Sequence, residues 1–242
     1  MLNPAHHFLQ PIIKAFETMS QDQDKLPENV LCMNAEAMPF TLISTLGFHC
    51  DVWRSIGKLI TPTGSADLDC VVKIGSQRCT QAQVRVLAKE HRMLRAALGE
   101  LVPAATFVST RIDREPRALV LAEACTPWFD LGNPTNESES LPMLERQPRL
   151  RQQLRDFTQA ARKWLDERRM LIDLIGAENL VLDRNGGVRY VDSFHVFFYL
   201  DTLDVIDQVD DGFLLRIEQS VERLGYLEWL VSQSSVAADK RL

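Results

Sequence analysis

The chain has 242 residues, 45% hydrophobic and 25% charged, with a formal net charge of −6. That balance fits a soluble globular protein of one large domain or a tight two-lobed one. It argues against a broad nucleic-acid footprint, and no apolar run is long enough for a membrane span.

The amino terminus lacks a basic stretch followed by a long apolar core, so no secretory signal is expected. Five scattered cysteines (Cys32, Cys50, Cys70, Cys79, Cys125) form no C-x-x-C pair. They read as reduced thiols of a cytoplasmic protein without a zinc site. His6 and His7 are adjacent near the terminus and read as a solvated end.

In chain order, Phe8, Leu9, Ile12, Ile13 and Phe16 give residues 7–20 the pattern of an amphipathic helix, with Pro11 at its start or in its first turn. Residues 20–29 are polar and read as a linker. Residues 41–46 and 52–60 read as strands flanking a turn that contains Gly47. Residues 61–69 form a turn-rich hairpin loop, and 70–74 an apolar strand containing one lysine, Lys73. A lysine there also suits an edge strand with its amine in water.

Residues 80–98 have a helical stripe of Val84, Leu87, His91, Leu94 and Leu98, with Glu90 at the edge of that face. Residues 105–110 and 118–122 read as two further strands around a polar turn. Residues 127–148, rich in Pro, Gly, Asn and Ser, read as a long surface connection that could serve as a substrate loop. Residues 148–169 are the clearest helix, with Leu150, Leu154, Phe157, Ala161, Trp164 and Leu165 on its buried face. Its arginines read either as a surface for an anionic acceptor or as a solvated face.

Residues 168–194 organise the chain. Asp173, Asn179 and Asp192 occur in order, and two short apolar runs, 179–182 and 188–191, flank an Asp-Arg-Asn-Gly-Gly turn. The pattern reads as loop, strand, tight turn, strand, loop, with the Asn-Gly-Gly residues tolerating positive φ. Two carboxylates and an amide just outside strand ends can converge on one point. Such a set suits magnesium, which prefers hard oxygen ligands and takes few protein carboxylates. Beyond Asp192, residues 195–200 are aromatic and are expected to pack under the site. Residues 204–230 suggest one or two helices, and 232–242 look frayed.

This stretch resembles the catalytic and metal loops of the protein-kinase-like superfamily, H-R-D-x-x-x-x-N, two strands, then D-F-G. The resemblance covers roughly residues 40–194. It implies an α+β, two-lobed kinase-like fold, with a five-stranded antiparallel sheet plus a helix in the N-lobe and a reduced, mainly helical C-lobe. The implied organisation is an N-terminal helix and linker over 1–29, an N-lobe over 30–123 and a C-lobe over 124–242.

ATP and Mg²⁺ are the implied cofactors. By resemblance, Asp173 is the catalytic residue facing the acceptor hydroxyl, and Asn179 and Asp192 are the metal ligands. Lys73 neutralises phosphate charge and is oriented by Glu90. Gly47, Val52, Glu123 and Cys125 complete the nucleotide site, with Val120 or Leu121 lining the pocket and 123–125 as the hinge against adenine.

The chain departs from the pattern in several places. Only the middle glycine of the glycine-rich loop is retained, as Gly47, which a plain hairpin turn would equally explain. The interval from Asp173 to Asn179 is one residue longer, with Gly176 inside it. Leu171-Ile172 replaces His-Arg, so apolar packing is expected to support the loop. Ser193-Phe194 replaces Phe-Gly, and no A-P-E follows. A better comparison than a full protein kinase is with compact bacterial kinase-like proteins, including those that phosphorylate sugars of the lipopolysaccharide core. Three readings follow: an ATP/Mg-dependent phosphotransferase acting on a hydroxyl of a sugar, lipopolysaccharide core or protein; a pseudokinase that binds nucleotide or a protein partner; and an unrelated α+β interaction protein.

Overall fold

Five segments rich in β-branched residues pair into one sheet in the computed structural model, which describes residues 40–44, 50–61, 64–112, 114–176, 179–205 and 208–239. The strands are β1 (Phe40–Ser44), β2 (Cys50–Thr61), β3 (Gly64–Gly75), β4 (Ala105–Ile112) and β5 (Glu115–Glu123). Their order is β1-β2-β3-β5-β4, and every pairing is antiparallel. The five-stranded antiparallel sheet expected from sequence is therefore present. The hairpin of β2 and β3 runs in unbroken register from Cys50 opposite Gly75 to Thr61 opposite Gly64. Gly47 and the expected helix over 7–20 lie outside the described residues.

Helix α1 (Gln81–Leu98) begins at a capping box. Thr80 Oγ1 accepts the Gln83 N–H at 3.3 Å, and Gln83 Oε1 accepts the Thr80 N–H at 2.8 Å. Its stripe is buried as the spacing implies: Val84, Leu87, His91, Leu94 and Leu98. The described residues divide into two units, one running up to Lys89 and taking in Ala104–Ala124, the other made of Glu90–Pro103 and the chain from Cys125 onward.

The second unit contains α2 (Glu137–Arg146), α3 (Pro148–Arg168) and α4 (Asp211–Asp239). It also has five short strands: β6 (Pro127–Asp130), β7 (Met170–Ile172), β8 (Leu180–Asp183), β9 (Val188–Tyr190) and β10 (Phe197–Tyr199). They form a three-stranded sheet β6-β8-β9 and a pair β10-β7. The core of this unit is built from Leu150, Leu154, Phe157, Ala161 and Trp164 of α3, Leu224, Leu227 and Leu230 of α4, and the strand residues Leu171, Ile172, Leu180, Leu182 and Val188. Trp164 meets Phe197 edge-on, with ring centroids 5.2 Å apart.

Three expectations are corrected here. Residues 127–148 are not a surface connection but carry β6, paired with β8, and α2, whose Leu144 is fully buried. The polar composition that suggested a loop is a helix start: Asn133 Oδ1 accepts the Thr135 N–H, and Pro134 opens a short 3₁₀ turn before α2. Residues 232–239 are not frayed, because α4 continues to Asp239 with Ser234 buried; 240–242 lie outside the described residues. Of the arginines of α3, Arg151, Arg155 and Arg162 are not a solvated face but meet α4, whereas Arg149 and Arg168 are exposed. Arg162 makes a two-pronged ion pair with Glu228 at 2.8 and 2.7 Å, Arg155 donates to Ser235 Oγ and Arg151 to Ser234 O, all on α4. Among the described residues no helix is long and apolar enough to cross a membrane.

Candidate functional site

The hairpin of β8 and β9 positions two of the three expected site residues. Its turn is set by Asp183, whose carboxylate is fully buried. Oδ1 accepts the N–H groups of Asn185 and Gly187 at 2.9 and 3.0 Å, and Oδ2 accepts Arg189 Nε at 2.9 Å. Gly186 takes the left-handed conformation, φ +73°, that the Asn-Gly-Gly sequence allows. The turn thus holds β8 and β9 in register, Leu180 opposite Tyr190. Asn179 precedes β8 and Asp192 follows β9 by two residues, so both emerge at the same end of the hairpin. The Val191 N–H to Asn179 O bond, 2.9 Å, closes that end.

Asp173 reaches the same place from β7. Its N–H donates to Val196 O at 2.9 Å, and its carbonyl accepts the hydroxyl of buried Tyr190 at 2.9 Å. Asn179 Nδ2 lies 3.5 Å from both Asp192 Oδ2 and Asp173 O, at the outer limit of a hydrogen bond. The three residues that the sequence strung over twenty positions are thus one cluster. Gly176 makes room for it, since a Cβ there would fall 2.3 Å from Asn179 Oδ1.

The carboxylates differ in what they hold. Asp192 Oδ1 accepts the N–H groups of Ser193 and Phe194 at 2.6 and 3.2 Å. Asp173 is 2% exposed. Its Oδ1 accepts the Ile175 N–H at 2.9 Å and its Oδ2 accepts Arg216 Nη2 of α4 at 2.7 Å. Burial raises the Asp173 carboxyl above its ordinary value; the nearby Asp192 charge acts in the same direction, while the Ile175 N–H and Arg216 pull against it.

Glu90 is 5% exposed, not at the surface edge of α1. Its Oε1 accepts the Tyr199 hydroxyl at 2.7 Å. Burial raises the Glu90 carboxyl, partly offset by that hydrogen bond, and both burial and Glu90 raise the Tyr199 phenol.

In the first unit, Val52, Lys73 and Val120 are direct cross-strand partners, Val52 opposite Lys73 and Lys73 opposite Val120. Cross-strand partners share one face of a sheet, so the three side chains form a row. Lys73 is 8% exposed, which the edge-strand reading does not account for, because β3 lies between β2 and β5. Glu123 ends β5; its N–H donates to Ala104 O at 2.8 Å, so that donor is already used. Cys125 begins the connection from β5 to β6 and is half-buried.

Sequence reasoning missed Tyr190, Tyr199 and Arg216. Tyr190 was read only as a strand residue. Arg216 lies 43 positions from Asp173, where no local spacing could connect them. Among the described residues there is no cluster of three or more His, Cys, Asp or Glu side chains suited to a metal. Asp192 could offer a carboxylate oxygen and Asn179 its amide oxygen, the kind of sparse hard-donor set that magnesium takes when phosphates and water supply the rest of its shell. No protein-family model matches the chain, and no curated protein matches it significantly.

Proposed function

We propose that the chain is a compact, kinase-like ATP/Mg-dependent phosphotransferase acting on a hydroxyl acceptor. The observation that carries this reading is the convergence of Asp173, Asn179 and Asp192 at one end of the β8–β9 hairpin. The row of Val52, Lys73 and Val120 supports it, since a lysine flanked by two valines pairs a phosphate-binding charge with an apolar surface for a base.

Asp192 and Asn179 would hold Mg²⁺, which neutralises charge on phosphate oxygens when bound. Asp173 would orient the acceptor hydroxyl and take its proton, a task suited to a carboxyl raised by burial. Lys73 would neutralise the α and β phosphates. Phosphoryl transfer asks mainly for in-line positioning and charge stabilisation, so these few groups suffice. The acceptor class carried by the resemblance is a sugar, a lipopolysaccharide core or a protein hydroxyl.

One observation favours a pseudokinase instead. Both oxygens of Asp173 already hold donors, and the residue is nearly inaccessible. In that reading the cluster binds nucleotide, or a protein partner, without transfer.

Calorimetric titration with ATP, with and without Mg²⁺, tests the shared premise on wild type and Asp192→Ala. Magnesium-dependent binding lost in Asp192→Ala supports the nucleotide site; no binding by wild type at millimolar ATP refutes the phosphotransferase and leaves of the pseudokinase only the form that binds a protein partner. ADP release that Asp173→Asn abolishes selects the enzyme. Tight binding with no release in any variant selects the pseudokinase.

A further inference from the structure

Leu171 and Ile172 stand where the kinase-like pattern has His and Arg, and both are fully buried in β7. Apolar packing therefore anchors the strand that enters the loop. The loop itself, Asp173 to Ile175, is held differently. Arg216, Ser220 and Arg223 recur at steps of four and three along α4, so they lie on one face of the helix. Each meets the loop. Arg216 Nη2 donates to Asp173 Oδ2 at 2.7 Å. Ser220 Oγ, fully buried, accepts the Leu174 N–H at 3.2 Å. Arg223 Nη1 donates to Leu174 O and, at 2.9 Å, to Ile175 O.

Three successive loop residues are thus fixed by three α4 side chains. Three of the contacts use backbone groups, and one uses the carboxylate assigned to the acceptor. Arg216 is itself steadied: its Cζ lies 5.3 Å from the centroid of the Phe198 ring. A buried loop carbonyl or N–H without such partners would be costly to leave in place. The Arg216 contact goes further than backbone satisfaction, because a charged donor on Oδ2 together with the Ile175 N–H on Oδ1 fixes the rotation of the carboxylate.

We propose that α4 is the positioning device of the catalytic loop. Arg216 orients the Asp173 carboxylate and Ser220 and Arg223 lock the backbone on either side of Leu174, replacing the support that Leu171-Ile172 cannot give. This rests on the reading of Asp173 as the acceptor-facing residue. Arg216 is a positioning residue that acts through Asp173.

Two measurements on the full chain test this. Amide exchange at Leu174 and Ile175 reads the brace without any ligand. Arg216→Gln is expected to accelerate Ile175, and Arg223→Gln both amides, by about tenfold or more, with exchange at Phe157 in α3 unchanged. Rates equal to wild type in both variants overturn the proposal. ATP turnover, followed as ADP release, reads the positioning role. Arg216→Gln is expected to lower kcat by about 10- to 100-fold at an unchanged KM for ATP, and Arg216→Lys to recover part of it. A loss carried by KM, or no recovery with lysine, overturns the positioning role. If wild type binds no ATP, the phosphotransferase reading and the catalytic sense of the brace fail together. The exchange rates still decide whether α4 holds the loop.

Discussion

Gly176→Ala puts the geometry of the cluster to a direct test. A Cβ at residue 176 would lie 2.3 Å from Asn179 Oδ1 and 2.6 Å from its Cγ and Nδ2. Ordinary contact begins at 3.4 Å, so the whole amide must withdraw by about 1 Å. Backbone strain does not enter, because Gly176 is not among the positive-φ glycines. The amide ends a short, rotatable side chain, and the fold should absorb its movement at a cost of about 1 kcal/mol. The site should not absorb it. Asn179 is one of two proposed magnesium donors, and a displaced ligand is expected to cost about 10- to 100-fold in magnesium-dependent ATP affinity. Calorimetry with and without Mg²⁺ reads the effect, and affinity in the absence of magnesium serves as the internal reference. Undiminished magnesium-dependent affinity in a folded Gly176→Ala protein would refute the placement of Asn179 at the metal.

Gly225→Ala is the matching control: the residue lies within α4, and a Cβ there meets nothing within 4 Å. It should stabilise the protein by about 0.5–1 kcal/mol in urea denaturation, and a loss of stability would contradict the open face of the helix. Asp183→Ala removes a buried carboxylate with three donors on it, and should cost about 3 kcal/mol; a change under about 0.5 kcal/mol would mean the turn forms without it. Glu90→Gln bears on pH. Folding raises the Glu90 carboxyl above 4.5, so its contribution to stability is complete below the unfolded value and is lost as pH rises through the folded one. Glutamine still accepts the Tyr199 hydroxyl and carries no charge, so the variant should gain on wild type as pH rises through the carboxylate range. Parallel stability curves from pH 4 to about 7 would show that the carboxyl is not shifted.

What could be read from sequence was local and periodic. The stripes of α1 and α3 repeat every three to four residues, and the β8–β9 hairpin announces itself through Asn185-Gly186-Gly187. Where composition and geometry conflict, the reading failed. Asn133 and Pro134 look like loop residues, yet they start a helix. Ser234 and Ser235 look like a solvated tail, yet their hydroxyls bond to Val231 O within α4, which spares them any need for water. The cluster was legible in its members but not in its support. Asp173, Asn179 and Asp192 lie within twenty residues, whereas Tyr199 reaches Glu90 across 109 positions and Arg216 reaches Asp173 across 43. Contacts that distant leave no spacing in the chain; only the i, i+4, i+7 recurrence of Arg216, Ser220 and Arg223 hinted that a polar face of α4 had something to hold.

Three aspartates of one short stretch can be sorted by what their oxygens hold. An ionised carboxylate offers about four lone-pair sites. Among the described contacts, Asp183 fills three of them across both oxygens and is fully enclosed, which is the state of a residue that shapes a turn. Asp173 fills one on each oxygen, one of them with an arginine, which is the state of a residue held in a chosen orientation. Among the described residues, Asp192 has two backbone donors on Oδ1, and its Oδ2 meets the Asn179 amide at 3.5 Å. Two backbone N–H groups on one oxygen fix the carboxylate plane and direct the other oxygen, with most of its capacity unspent, at the neighbouring amide. A cation binds best to such an oxygen, since it displaces no strong bond in doing so. That asymmetry, and not sequence position alone, makes Asp192 the residue whose loss should remove magnesium-dependent nucleotide binding while leaving the hairpin, which Asp183 secures, intact.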